Sequence, residues 1–126
     1  MSAHKYHITV SPRASYIAEQ SDADAGRYAF AYTITITNTG EVAAQLLSRH
    51  WIITDANNLV QEVKGQGVVG AQPKLKPGES FEYTSGSVLT TPVGTMRGAY
   101  QMLAEDGTRF DATIPEFTLS APRVLH

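Results

Sequence analysis

The sequence predicts an all-β protein, and a sandwich in preference to a barrel, on three observations. No window places apolar residues at the i, i+3, i+4, i+7 spacing of an amphipathic helix. Apolar residues instead alternate with polar ones in short runs, the period of strands buried on one face. Gly, Pro, Asn and Asp clusters interrupt these runs about every 8–12 residues, which gives about seven to nine short strands.

Tyr6, Ile8 and Val10 alternate with polar residues and make the first strand. Pro12 marks a bend or an edge, because proline cannot donate to a ladder, and Ala14 to Glu19 either returns along that strand or continues it. Ser21 to Gly26, with Asp22 and Asp24, is a polar turn. Arg27 to Asn38 is the clearest strand: Tyr28, Phe30, Tyr32, Ile34 and Ile36 share one face, and Ala29, Ala31, Thr33 and Thr35 the other. Asn38-Thr39-Gly40-Glu41 ends it. Ala44 to Asp55 comes next with apolar residues at both parities, so this strand is either covered on both sides or bulged. Pattern alone therefore leaves the facing of Arg49 and His50 open. Trp51, the single tryptophan in a central strand, is assigned to the interior.

Asp55 to Asn58 is a turn, and Leu59 to Val63 is a short strand entering a glycine-rich stretch. After Pro77-Gly78, Phe81 and Tyr83 mark another strand. Ser85 to Ser87 and Thr90 to Gly94 break the chain between that strand and the next. Met96 to Glu105 is a strand with Met96, Tyr100 and Met102 on one face, and Asp106-Gly107 turns it into Thr108 to Ile114. Pro115 kinks the last part, Phe117 and Leu119 continue an edge, and residues 121–126 read as a loose tail.

The 126 residues suit a single domain spanning 1–126, with an ordered core over about residues 4–120. A net charge of −2 gives no global attraction to nucleic acid or to an anionic membrane. With no cysteine there is no disulfide framework, thiolate metal site or thiol nucleophile. The N-terminus lacks the apolar run of a signal peptide and nothing approaches the ~18 apolar residues of a membrane span. A cytoplasmic protein with no membrane insertion is expected.

The stretch Lys64-Gly65-Gln66-Gly67-Val68-Val69-Gly70, continued by Lys74, Lys76 and Pro77-Gly78, reads as a presented loop, with no acidic side chain between Val63 and Gly78. Closely spaced glycines let successive N–H groups line a concavity for phosphate or carboxylate oxygens, and the lysines would attract the same ligand. The spacing copies the G-x-G-x-x-G of dinucleotide-binding proteins, but that fingerprint needs a helix behind it. Pro73 and Pro77 exclude one. Two readings stay open: an anion-binding nest over residues 64–70, or glycines that simply make tight turns and bulges.

Four blocks carry a family resemblance. They are Leu47-Ser48-Arg49-His50-Trp51-Ile52-Ile53-Thr54-Asp55, Val63-Lys64-Gly65-Gln66-Gly67-Val68-Val69-Gly70-Ala71-Gln72-Pro73, Leu75-Lys76-Pro77-Gly78-Glu79-Ser80-Phe81-Glu82-Tyr83, and Leu89-Thr90-Thr91-Pro92-Val93-Gly94-Thr95-Met96-Arg97-Gly98-Ala99-Tyr100. Together they resemble the ApaG family over essentially the whole chain. The resemblance implies a stand-alone bacterial protein with an immunoglobulin-like, fibronectin type III-like β-sandwich. It also implies an association with cobalt and magnesium resistance or efflux, and genes beside that of a diadenosine tetraphosphatase. Related domains in F-box proteins and polymerase delta-interacting proteins imply protein–protein contact. The spelling of the glycine motif has suggested pyrophosphate binding.

Catalysis finds no constellation. His4 and His7 point to opposite faces of a straight strand, His126 is terminal and His50 stands alone, so no metal site is expected. Asp55, Glu105, Asp106 and Asp111 are explained by turns and solvated strand faces, and no serine sits in a nucleophile elbow. No cofactor is expected. Arg49, His50 and Arg97 either join the lysines in an electropositive surface or are ordinary strand charges paired with Glu62, Glu82 or Glu105. Three loop lysines are no basic stripe, so no nucleic-acid partner is expected. The sequence thus points to a non-catalytic protein-interaction module that presents the Gly65 to Gly78 loop and a sheet edge, its contact depending on Val68, Val69 and Leu75. The alternative is a binder of nucleotide polyphosphate or pyrophosphate through residues 64–70, supported by Lys74, Lys76, Arg49 and His50.

Overall fold

The computed structural model describes residues 5–122. Eight strands, β1 (Ile8–Tyr16), β2 (Tyr28–Asn38), β3 (Ala44–Asp55), β4 (Val60–Gln66), β5 (Lys74–Leu75), β6 (Ser80–Leu89), β7 (Val93–Ala104) and β8 (Arg109–Ser120), form two antiparallel sheets. One sheet has the order β1-β2-β6; the other has the order β4-β3-β7-β8, with β5 also paired to β3. The two sheets form a sandwich. His4 and residues 123–126, including His126, lie outside the described residues.

The alternation in β2 does what its sequence demands. Phe30, Tyr32, Ile34 and Ile36 are buried against the other sheet, while Thr33, Thr35 and Thr37 bond outward-facing partners Thr84, Glu82 and Ser80 across the β2–β6 pair. Across the interior, Trp51 packs its ring near Tyr32, Phe117 and Tyr100, with centroids 5.3, 5.9 and 6.4 Å away.

Two irregularities reconcile apolar residues at both parities with a one-sided core. In β3 the register slips between Leu46 and Ser48, so Leu47 is an extra residue. Ala44 and Leu46 before it, and Trp51 and Ile53 after it, then all face inward. That bulge also decides the open question at positions 49 and 50: Arg49 shares the inward face of Trp51, and His50 faces the outer surface. In β8, Pro115 and Glu116 stand where β7 supplies only Arg97, which accommodates the proline and re-aims Phe117 and Leu119 inward. The strand is continuous through Pro115. At the N-terminal end Pro12 likewise interrupts nothing, because β1 is an edge strand that runs on to Tyr16. The Asp22 turn contains two short 3-10 segments, and the second is capped by the Asp22 side chain and closed by Gly26 at φ 66°.

Asn38, 2% exposed, joins the two sheets' connections. Its side-chain N–H groups donate to the carbonyls of Val42 and Leu75, both at 2.9 Å, and its oxygen accepts from Gly40 N–H at 2.9 Å.

Candidate functional site

β4 leads directly into the glycine-rich stretch, and the chain there forms a tight hairpin instead of an open loop. Val68 N–H donates to Ala71 O at 2.8 Å and Ala71 N–H returns to Val68 O at 2.9 Å. The two residues between them, Val69 and Gly70, have φ 43° and 82°, the signature of a type I′ turn. Such turns favour Asn-Gly because both central residues adopt φ > 0. Here a β-branched residue holds the first position, at a conformational cost, and its side chain is 60% exposed.

The other two glycines of the motif answer to packing. Gly65 lies opposite Arg49, whose guanidinium crosses it so closely that a Cβ at position 65 would stand 2.7 Å from Nη2. From there Arg49 Nη1 donates to Gln66 O at 3.0 Å and Gly67 O at 2.8 Å. Gly67, at φ 64°, brings its backbone against Ala71; a Cβ would lie 2.4 Å from the Ala71 carbonyl oxygen. Gly67 N–H is already given to Leu47 O at 2.9 Å. The N–H groups of Gly67 and Val68 therefore serve the fold, and the stretch turns carbonyls towards a cation, Arg49.

The expected basic cluster divides into two places. Lys64, His50 and Arg49 line one shallow depression of about 410 Å³, together with Ser48 and Gln101, whose side chains bond at 2.7 Å. His50 Nε2 meets Glu62 Oε1 there at 2.9 Å, whereas Arg49 and Lys64 form no ion pair with a carboxylate among the described residues. Lys74 and Lys76 line a different depression, of about 460 Å³, beside Glu41, Glu79 and Glu105, so their positive charge is offset locally and does not join Lys64. Val68 and Leu75, expected at a partner contact, are 1% and 5% exposed and belong to the core; of the three only Val69 is presented.

Two further polar arrangements were not foreseen from sequence. Tyr83 and Tyr100 share a buried hydroxyl–hydroxyl bond of 2.6 Å between the sheets. Burial pushes the Tyr83 hydroxyl up to about 12 and Tyr100 higher still, while the Arg49 charge opposes both shifts. At the turn between β7 and β8 the Tyr6 hydroxyl donates to Asp106 at 2.5 Å and, with the Thr108 amide at 3.0 Å, holds that carboxyl down to about 2. The pairing of Tyr83 with Tyr100 crosses sheets, so no periodicity signals it. The Val69-Gly70 turn, by contrast, is visible in principle, as a hairpin pair with valine where asparagine is usual.

Among the described residues no group of three or more His, Cys, Asp or Glu side chains is placed to hold a metal ion, and no helix is long and apolar enough to cross a membrane.

Comparison with known proteins agrees with this geometry. The profile of the ApaG domain matches residues 18–104. The chain is similar to Protein ApaG of Thiobacillus denitrificans, 69% identical over 97% of this chain and 96% of the relative, and to Protein ApaG of Dechloromonas aromatica, 68% identical over 98% and 97%. Among solved structures it is similar to the crystal structure of an ApaA protein from Bordetella pertussis, with a TM-score of 0.93 and 55% identity over 98% of this chain and 100% of that one. The chain belongs to the ApaG family.

Proposed function

We propose that this protein is a non-catalytic interaction module that offers the Val68–Ala71 hairpin to a partner protein in the cytoplasm. The observation that supports this reading is Val69: a β-branched residue held at φ 43°, 60% exposed, at the tip of a turn that asparagine would satisfy without strain. Strain kept at an exposed apolar tip is what a contact residue shows when binding, not folding, sets its identity. The association with cobalt and magnesium then runs through the partner. The three-plus-four distribution of the principal strands supports the fibronectin type III-like form of sandwich. The test is retention of a co-purifying partner by native and Val69→Asn chains. A folded, stable V69N protein that loses the partner supports the reading, and one that keeps it refutes it.

A second reading has its own support. Lys64, which forms no ion pair with a carboxylate among the described residues, stands opposite His50 on the outer face of the β3–β4 pair and lines the same 410 Å³ depression, which suits an oligophosphate held by side chains. Binding of pyrophosphate or ATP that weakens on Lys64→Ala and on added salt would establish it.

A further inference from the structure

The lateral edge of β6 is unusually open. Asn38 N–H donates to Glu79 O at 2.9 Å, which sets the phase of the β2–β6 ladder. By alternation the odd-numbered residues of β6 bond β2, and the N–H and C=O groups of Ser80, Glu82, Thr84, Gly86 and Val88 point away from the sheet. No described strand lies on that side. Edges of this kind are ordinarily guarded by lysine, proline, bulges or a covering element. The other three edges are guarded: β1 contains Pro12 and Arg13 and lies against β8, β8 contains Pro115 at its bulge, and β4 aims Glu62 and Lys64 outward. β6 has no proline, no basic residue and no break in its register over Ser80–Leu89, and its one charge, Glu82, accepts a bond from Thr35 at 2.9 Å.

We propose that β6 pairs with β6 of a second copy, antiparallel about a two-fold axis through Thr84, which joins two three-stranded sheets into one of six strands. Charge selects both the occupant and the register. With the axis at Thr84, Ser80 faces Val88, Glu82 faces Gly86 and Thr84 faces its own copy, so no like charges oppose each other and two threonines meet at the centre. All five residues with outward backbone groups are then used. Sliding the axis to Glu82 sets two carboxylates opposite each other and shortens the ladder. This inference does not depend on the proposed function, because the Val69 hairpin extends the other sheet.

The absence of cysteine makes the test specific. Directly opposed residues lie about 5.5 Å apart at Cα, within disulfide reach. Under mild oxidation Thr84→Cys should form a covalent dimer at concentrations where the exposed control Glu116→Cys stays monomeric. Mixed Ser80→Cys and Val88→Cys chains should cross-link to each other in preference to themselves. Sedimentation of the native chain should show its 13.7 kDa mass doubling with concentration. Thr84→Lys, with an unchanged circular dichroism spectrum, should associate about tenfold more weakly. A native chain that stays monomeric at every concentration overturns the proposal, as does T84C oxidation no faster than the control or T84K association equal to native.

Discussion

Replacing Val69 with asparagine should make the protein more stable. A non-glycine residue in the left-handed region costs about 1–2 kcal/mol, with valine at the upper end because both γ-methyls crowd the backbone, whereas asparagine visits that region readily. Against the relief stands the lost burial of the valine. Full burial of such a side chain contributes about 1.5–2 kcal/mol, and Val69 is 60% exposed, so about 0.7 kcal/mol is forfeited. The net gain is about 1 kcal/mol. With an unfolding entropy of about 2.1 cal/mol/K per residue over 126 residues, this raises Tm by about 4 °C. Val69→Gly should gain less, because glycine also raises the entropy of the unfolded chain by about 0.5–1 kcal/mol. Thermal and urea unfolding of the three proteins decide the matter. A V69N protein no more stable than native would show that Val69 is not strained, and the inference from strain to a contact role would fall with it.

The three glycines of the motif should fail differently when each becomes alanine. Gly67→Ala drives a Cβ into the Ala71 carbonyl and should cost about 2–4 kcal/mol, whereas Gly65→Ala only displaces the Arg49 guanidinium and its two carbonyl bonds, about 1–2 kcal/mol, both read from urea midpoints. Tyr83→Phe or Tyr100→Phe should each cost about 1–2 kcal/mol by leaving a buried hydroxyl without its partner, and the double variant should cost less than the two together. Because both folded-state values are raised, the unfolded chain loses these protons first; the pair's contribution is intact below about pH 10 and is lost as pH rises towards 12, so the fall in urea midpoint over that range should be shallower in the double variant. For Asp106 the sign reverses: its folded value lies near 2, below the ordinary 3.8, so its contribution is present above about pH 4 and is lost as pH falls towards 2. Carboxyl NMR titration should find that low midpoint, and Tyr6→Phe should move it upward.

Much of the fold was legible because a strand with one buried face writes its burial into every second residue, as β2 does from Phe30 to Ile36. Mixed parity in β3 was legible as an alternative, covered or bulged, and only the extra residue at Leu47 shows which. The site was less legible for a physical reason. A glycine motif states that a side chain is absent, not what occupies the space: at Gly65 it is Arg49, from a strand paired only in three dimensions, and at Gly67 it is the Ala71 carbonyl. Val68 and Leu75 look like loop residues in a stretch rich in glycine and proline, yet the hairpin folds them under. The lysines are neighbours in sequence, but the path from Gly70 through Pro73 carries Lys74 and Lys76 away from Lys64 to a neighbourhood of glutamates.

The glycine stretch is a closed hairpin whose Gly67 and Val68 amides are committed to Leu47 and Ala71. The sharpest test is an amide chemical-shift titration with pyrophosphate, ATP and diadenosine tetraphosphate, each with and without magnesium. The Gly67 and Val68 amides should not move, and any shifts should fall on Lys64 and His50. Saturable shifts centred on Gly67 and Val68 would mean that those N–H groups release their carbonyls for an anion, and the closed hairpin would be refuted.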